Sequence, residues 1–198
     1  GAYPFYQESI ENYPLKLLEV INHTIDVDLT ALFHIDSNKL DKLKKILYML
    51  CTTAPVELNK AKMSSAVGTS WPTLSKYIEL MQSADLLYSL RGGSGMRAVN
   101  RPDKLLLNNP NLFQVLCASP NIGSLRESFF VSQLSYQHQV HYHDQGDFRI
   151  NDQFIFEIGG SQKKASQIKQ QDQAFLAVDD LEVGHGNRIP LWLFGLLY

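Results

Sequence analysis

The stretch from Gly146 to Gly160, GDFRINDQFIFEIGG, leaves this chain few ways to fold. Phe148 and Ile150 alternate with polar residues, and Phe154, Phe156 and Ile158 mark one face of the segment that follows. The pattern reads as two short strands. The connection then sets the register. A two-residue turn at Asn151-Asp152 pairs Phe148 with Ile155 and sends Phe154 and Phe156 to the face opposite Phe148. A three-residue loop, Asn151-Asp152-Gln153, pairs Ile150 with Phe154 and Phe148 with Phe156, which gives one continuous apolar face. The second register also places Asp147 opposite Glu157, with Cβ atoms roughly 4.5–5.5 Å apart. Two like charges so placed need a cation, a proton or solvent.

The chain has 198 residues, enough for one large domain or two small ones. Its 44% hydrophobic and 19% charged residues are ordinary for a globular protein, and the net charge of −2 gives no global sign of nucleic acid. The charge is uneven, however. Lys39 to Lys104 carries eleven Lys/Arg against five Asp/Glu, whereas Ser119 to Tyr198 carries six against nine. Cys51 and Cys117 lie in apolar runs and read as buried thiols, which suits a reducing cytoplasm. The sequence offers no signal peptide, and its longest apolar run, Ile189 to Tyr198, is too short to span a bilayer. It opens Gly-Ala without an initiator Met, and so reads as a piece of something longer.

Residues 3–35 begin with Tyr3, Phe5 and Tyr6 and continue with Leu15, Leu18, Ile21 and Ile25 at helical spacing, an arm that must pack on a neighbour. Ser37 is placed to cap a helix running to about Cys51, with Leu40, Leu43, Ile46, Leu47 and Leu50 on one face. A shorter helix over Val56–Ala66 ends in a turn at Gly68. Ser70 opens a third helix that tolerates Pro72 in its first turn and turns Leu74, Ile78 and Met81 inward. After Ala84 the period drops to two. Leu86–Arg91 and Met96–Asn100 flank Gly92–Gly95 as a hairpin. Helices, turn, helix and hairpin in this order predict a winged helix-turn-helix.

One reading of that module places Ser70, Thr73 and Lys76 in a DNA major groove, with Arg91, Arg97 and Arg101 on phosphates. The other makes it a packing or protein-contact unit. Lys76 is the one basic residue on the outward helix face, where Glu79 would repel phosphate. No GxxxxGK[ST] or GxGxxG motif occurs.

Lys104–Leu107 reads as a strand, Leu112–Cys117 as a short helix and Ile122–Gln137 as a longer one. Ile122, Leu125, Phe129 and Phe130 form that helix's apolar stripe, and Glu127 lies on its flank in line with Val131 and Leu134. A strand at Gln139–His143, the hairpin, a helix near Gln162–Lys169, a strand at Ala174–Val178 and an apolar end follow. This order implies a small α/β domain with a mixed sheet. His138, His141 and His143 read as a solvated edge strand, with zinc the lesser alternative. Gly184–Arg188 reads as an ordinary loop, and Trp192 and Phe194 as core or as a docking face.

Asp on one strand followed by Glu-x-Lys on the next is the metal-binding core of the restriction-endonuclease-like fold, and the hairpin resembles it. The lysine is missing, because the second element reads Glu157-Ile158-Gly159. The Tyr3–Tyr6 entry, the helix segment Ser70–Leu87, Lys104–Leu112, Gly123–Leu134, the hairpin and the closing Ala177–Tyr198 extend the likeness over nearly the whole chain. Together they are similar to the C-terminal region of a prokaryotic family of AAA-type P-loop ATPases, in its Bacteroidetes-type branch. There a winged helix precedes a degenerate restriction-endonuclease-like domain of unknown function.

The resemblance implies an α+β chain with an N-terminal helical arm (1–36), a winged helix-turn-helix (37–104) and a degenerate nuclease-like domain (105–198). It implies a non-catalytic, cytoplasmic accessory region that recognises double-stranded DNA or a protein partner, such as the ATPase module, away from any membrane. ATP and its Mg²⁺ belong to that module, outside this chain. Asp147, Glu157 and Glu127 are the vestigial site candidates, with Lys163 or Lys164 placed to reach in for the missing lysine. Asp147 and Glu157 then bind Mg²⁺ weakly at most. The alternatives are a Mg²⁺-dependent DNA nuclease and a regulatory protein–protein scaffold.

Overall fold

A computed structural model describes residues 3–36, 39–52, 59–92, 104–164, 168–169 and 171–197. The chain is α+β and divides into two units. The first comprises Gly1–Ser89 with Leu105–Asn121, and the second Leu90–Lys104 with Ile122–Tyr198. This division differs from boundaries at residues 36 and 104. Residues 3–36 belong with the helices that follow, and the strand at Leu105–Leu107 returns to the first unit.

In the first unit, helix α1 (Tyr13–His23) runs through a π-helical turn (Thr24–Asp28) into α2 (Leu29–Phe33), and His34 ends the run at φ 50°. The buried stripe is Tyr13, Leu17, Ile21, Ile25 and Leu29, while Leu15 is exposed. The expected stripe of Leu15, Leu18, Ile21 and Ile25 was therefore only half right. A repeat of four drifts around a helix of 3.6 residues per turn, and the wider π turn takes up part of the drift. Tyr3, Phe5 and Tyr6 form a chain of ring contacts ending on Tyr13.

Helix α3 (Leu40–Thr52) buries Leu43, Ile46, Leu47 and Cys51. Ser37, expected to cap it, lies outside the described residues. Helix α4 (Lys60–Val67) starts later than sequence suggested: Asn59 accepts the Lys62 N–H at 3.0 Å, and Gly68 closes the helix at φ 70°. Helix α5 (Trp71–Ser83) buries Leu74, Tyr77, Ile78, Leu80 and Met81. Ser70 stands at its head, but its hydroxyl lies 3.1 Å from that of Thr73 and makes no backbone cap.

Strand β1 (Leu87–Leu90) forms a two-stranded sheet with β2 (Lys104–Leu107). The expected second wing strand, Met96–Asn100, lies outside the described residues. Helix α6 (Pro110–Leu116) is capped by Asn109, whose side chain accepts from Asn111 N–H and donates to the Tyr3 hydroxyl, each at 3.0 Å.

Cys51, near the end of α3, and Cys117, just past α6, form a disulfide with Cα atoms 5.2 Å apart. This corrects the expectation of two free thiols. Cys51 is buried and Cys117 half-buried, and the apolar runs around them bring the two sulfurs together.

The second unit holds a five-stranded sheet in the order β3 (Val140–Tyr142), β4 (Phe148–Ile150), β5 (Phe154–Gly159), β6 (Ala174–Val178), β7 (Arg188–Pro190). The first three strands are antiparallel and the last three parallel. Phe148 pairs with Phe156 and Ile150 with Phe154, the register of the three-residue loop. Asn151 and Asp152 adopt φ 52° and 56°, a conformation that Asn and Asp tolerate better than most residues. Helix α7 (Ile122–Leu134) sets Phe130 against Phe148, Phe156 and Phe194 with ring centroids 4.7–5.6 Å apart. Ile155, Ile168, Ala174, Leu176 and Val178 make a second cluster.

One expectation fails here. The buried face of α7 is Ser124, Glu127, Ser128, Phe130, Val131 and Leu134, whereas Ile122 is exposed. Of the helix expected near Gln162–Lys169, residues 165–167 lie outside the described residues, and none of the others is helical. No helix among the described residues is long and apolar enough to cross a membrane.

Candidate functional site: a buried carboxylate–lysine cluster

Five side chains of the second unit make the site. Glu127 comes from α7, Asp147 from the approach to β4 and Glu157 from β5. Lys163 follows β5, and Lys104 opens β2. The sheet register explains the two hairpin carboxylates. Its ladder ends at Phe148–Phe156, so Asp147 is not a paired residue opposite Glu157. Asp147 instead donates its N–H to Phe156 O at 2.8 Å, and its carboxylate accepts the Ile158 N–H at 2.6 Å. Gly146 makes that approach possible. At φ 152° it would carry a Cβ 2.9 Å from the Ile155 side chain.

The cation that such a carboxylate pair demands is present twice, as lysine. The Lys104 ammonium lies 2.5 Å from Glu127 Oε2 and 3.8 Å from Asp147 Oδ1. It also sits 5.0 Å from the Phe148 ring centroid and 5.8 Å from that of Tyr142. Lys163 Nζ lies 3.1 Å from Glu157 Oε1. Lys104 is only 4% exposed, Glu127 6% and Glu157 0%. Both Glu157 oxygens and Glu127 Oε2 lack a well-directed hydrogen bond, so charge more than directed bonding holds the cluster.

Burial is the main force on Glu127. It pushes the carboxyl up to about 7, with Asp147 adding to the rise and Lys104 and Lys163 opposing it. The 2.5 Å contact to Lys104 favours the ionised form, so the proton and the ammonium compete for one carboxylate.

Gly159 explains how Lys163 reaches Glu157. A Cβ on Gly159 would lie 2.5 Å from both Cβ and Cγ of Lys163. The lysine stem therefore occupies the space that a side chain at 159 would fill. Arg188 fastens the turn that carries Lys163, donating to Lys163 O at 3.2 Å and to Ser161 O at 3.1 Å. Lys164 is exposed.

Sequence reasoning found Glu127, Asp147, Glu157 and Lys163, which the structure brings into one cluster. It missed Lys104 and Arg188. The available signal for Lys104 was a lysine opening an otherwise wholly apolar strand, KLLL.

The cluster as arranged does not fit Mg²⁺, which takes octahedral oxygen ligands at about 2.0–2.1 Å. An ammonium stands between Glu127 and Asp147, and one oxygen of Asp147 is committed to Ile158. Among the described residues no three His, Cys, Asp or Glu side chains are grouped to hold a metal. The histidines are separately engaged. His138 meets the Asn151 amide at 3.0 Å, and His143 meets Arg149 at 2.9 Å. Burial, and then Arg149, lower the His143 pKa.

In the first unit, Ser70 and Lys76 are exposed on α5 and Thr73 is half-buried. Glu79 is exposed on the same helix. In the second, Arg91 is exposed, and its carbonyl accepts the Tyr142 N–H at 3.0 Å. Arg97 and Arg101 lie outside the described residues. Comparison with protein-family models, with curated proteins and with solved structures gives no match to this chain.

Proposed function

We propose that this chain is a non-catalytic recognition region, an accessory to an AAA-type ATPase, in which α3–α5 form a winged-helix DNA- or partner-binding module and the second unit is a retired nuclease-like domain. One observation carries the non-catalytic reading. The carboxylates that would hold a catalytic metal are already neutralised by Lys104 at 2.5 Å from Glu127 and by Lys163 at 3.1 Å from Glu157. Exposed Ser70 and Lys76 at the start of α5 support the recognition reading. The link to an ATPase rests on the resemblance in sequence.

The test is direct. The chain should leave duplex DNA uncut in Mg²⁺ or Mn²⁺. Fluorescence anisotropy should detect salt-dependent duplex binding that Lys76→Ala with Arg97→Ala weakens, lowering the salt slope by about one unit for each phosphate no longer neutralised. Unchanged binding in the double variant would count against the groove placement. No duplex binding at all would move the reading to a protein partner.

A nuclease remains the second reading because of Lys163. Its stem fills the space over Gly159, so it stands in for the lysine the motif lacks. Cleavage by the wild-type chain, abolished in Lys163→Ala, would establish that reading and overturn the first.

A further inference from the structure

We propose that Lys104 is the resident cation of the carboxylate cluster, a tethered counter-ion that occupies the place between Glu127 and Asp147 and keeps divalent cations out. The proposal deepens the non-catalytic reading and rests on it, because a site already filled by an ammonium has no room for a metal that would activate water.

Three observations carry it. Lys104 is almost wholly buried at the head of a strand whose other residues, Leu105, Leu106 and Leu107, are apolar and buried. A desolvated ammonium is expelled or neutralised unless fixed negative charge holds it. Here that charge comes from two separate elements, Glu127 at 2.5 Å and Asp147 at 3.8 Å, while the faces of Phe148 and Tyr142 close around the same nitrogen.

Second, Glu157 is fully buried with both oxygens lacking a directed hydrogen bond, and its ion-pair partner Lys163 is partly exposed. The cluster thus has acceptor capacity beyond what its lysines use. Third, packing alone would be served by leucine or methionine at position 104. Such a residue would leave Glu127 and Asp147 to be relieved only by a proton or by another cation.

If Lys104 is the cation, removing its charge while keeping its bulk should create a demand that a divalent ion can meet. The experiment is titration of the 198-residue chain with Mn²⁺, followed by calorimetry and by the electron-spin signal of free Mn²⁺, on wild type, Lys104→Met and Lys104→Met with Asp147→Asn. Circular dichroism reports folding throughout. The wild type should take up no stoichiometric Mn²⁺ at millimolar concentration. Lys104→Met should bind one Mn²⁺ at least tenfold more tightly, and the added Asp147→Asn should abolish the gain.

If Lys104→Met is unfolded alone, its refolding by Mn²⁺ would equally support the proposal. A folded Lys104→Met without that gain would overturn it. So would wild-type binding as tight as the variant's, or a Lys104→Met chain that stays unfolded at every Mn²⁺ concentration. DNA cleavage by the wild-type chain would instead sink the non-catalytic reading, so the two failures are distinguishable.

Discussion

The two units bury different chemistry. Among the described residues, every buried polar or charged side chain belongs to the second unit: Lys104, Ser124, Glu127, Ser128 and Glu157. The first unit buries aliphatic residues, methionines, Phe113, Tyr13 and Tyr77, and has the Cys51–Cys117 bridge. Its core serves stability. The second unit holds five ionisable groups together at a desolvation cost that an apolar filling would avoid. Among the described residues the two interiors thus differ in kind, buried charge being confined to the second.

This contrast can be broken experimentally. The largest effect should come from Lys104→Ala, which leaves Glu127 and Asp147 buried without their ammonium and should cost roughly 3–5 kcal/mol. The two tryptophans separate the units, because Trp71 belongs to the first and Trp192 to the second. Denaturant unfolding followed by Trp192 in a Trp71→Phe background should show the destabilisation. An equal destabilisation reported by Trp71 alone would erase the distinction.

Opening the disulfide should act on the first unit. Cys51→Ala with Cys117→Ala should cost about 2–4 kcal/mol, read from the Trp71 transition in a Trp192→Phe background. A smaller effect concerns pH. Glu127 holds its proton more tightly folded than unfolded. Its contribution to stability is therefore fully present below its ordinary pKa of 4.5 and is lost as pH rises through about 7. Stability of the second unit should fall by roughly 1–3 kcal/mol across that window, and Glu127→Gln should flatten the decline. Lys76→Ala should be the mildest, within about 0.5 kcal/mol for an exposed side chain, while weakening any duplex binding.

The hairpin was legible because strand alternation and loop length are local: once three residues bridge the strands, Phe148 must face Phe156. The inward residues of α5 were legible for the same reason, from a helical period. What stayed hidden depends on chain segments far apart in sequence. Lys104 meets Glu127 across 23 positions and Asp147 across 43, and no spacing rule relates them. Sequence reasoning treated Lys104 as the end of the basic middle, where composition placed it. The disulfide joins positions 66 apart, and buried thiols look the same in sequence whether or not they meet. Glu127 was half legible. Its alignment with Val131 and Leu134 is what the buried face follows, but the apolar stripe through Ile122 left it on the flank. Nor could the sequence show that Arg188 would fasten Ser161 and Lys163 from outside, since 25 and 27 positions separate them.

The Cys51–Cys117 bridge also has a topological consequence. Closing the chain there makes a covalent ring that contains α4, α5, β1, β2 and α6, and Leu90–Lys104 lies within it. The lysine that neutralises the second unit's carboxylates is thus carried on a loop whose two ends are stapled together in the first. A single protease cut anywhere between Thr52 and Leu116 would leave one molecule under oxidising conditions and two fragments after reduction. Lys104 would stay tethered to both halves of the cut chain for as long as the sulfurs remain joined.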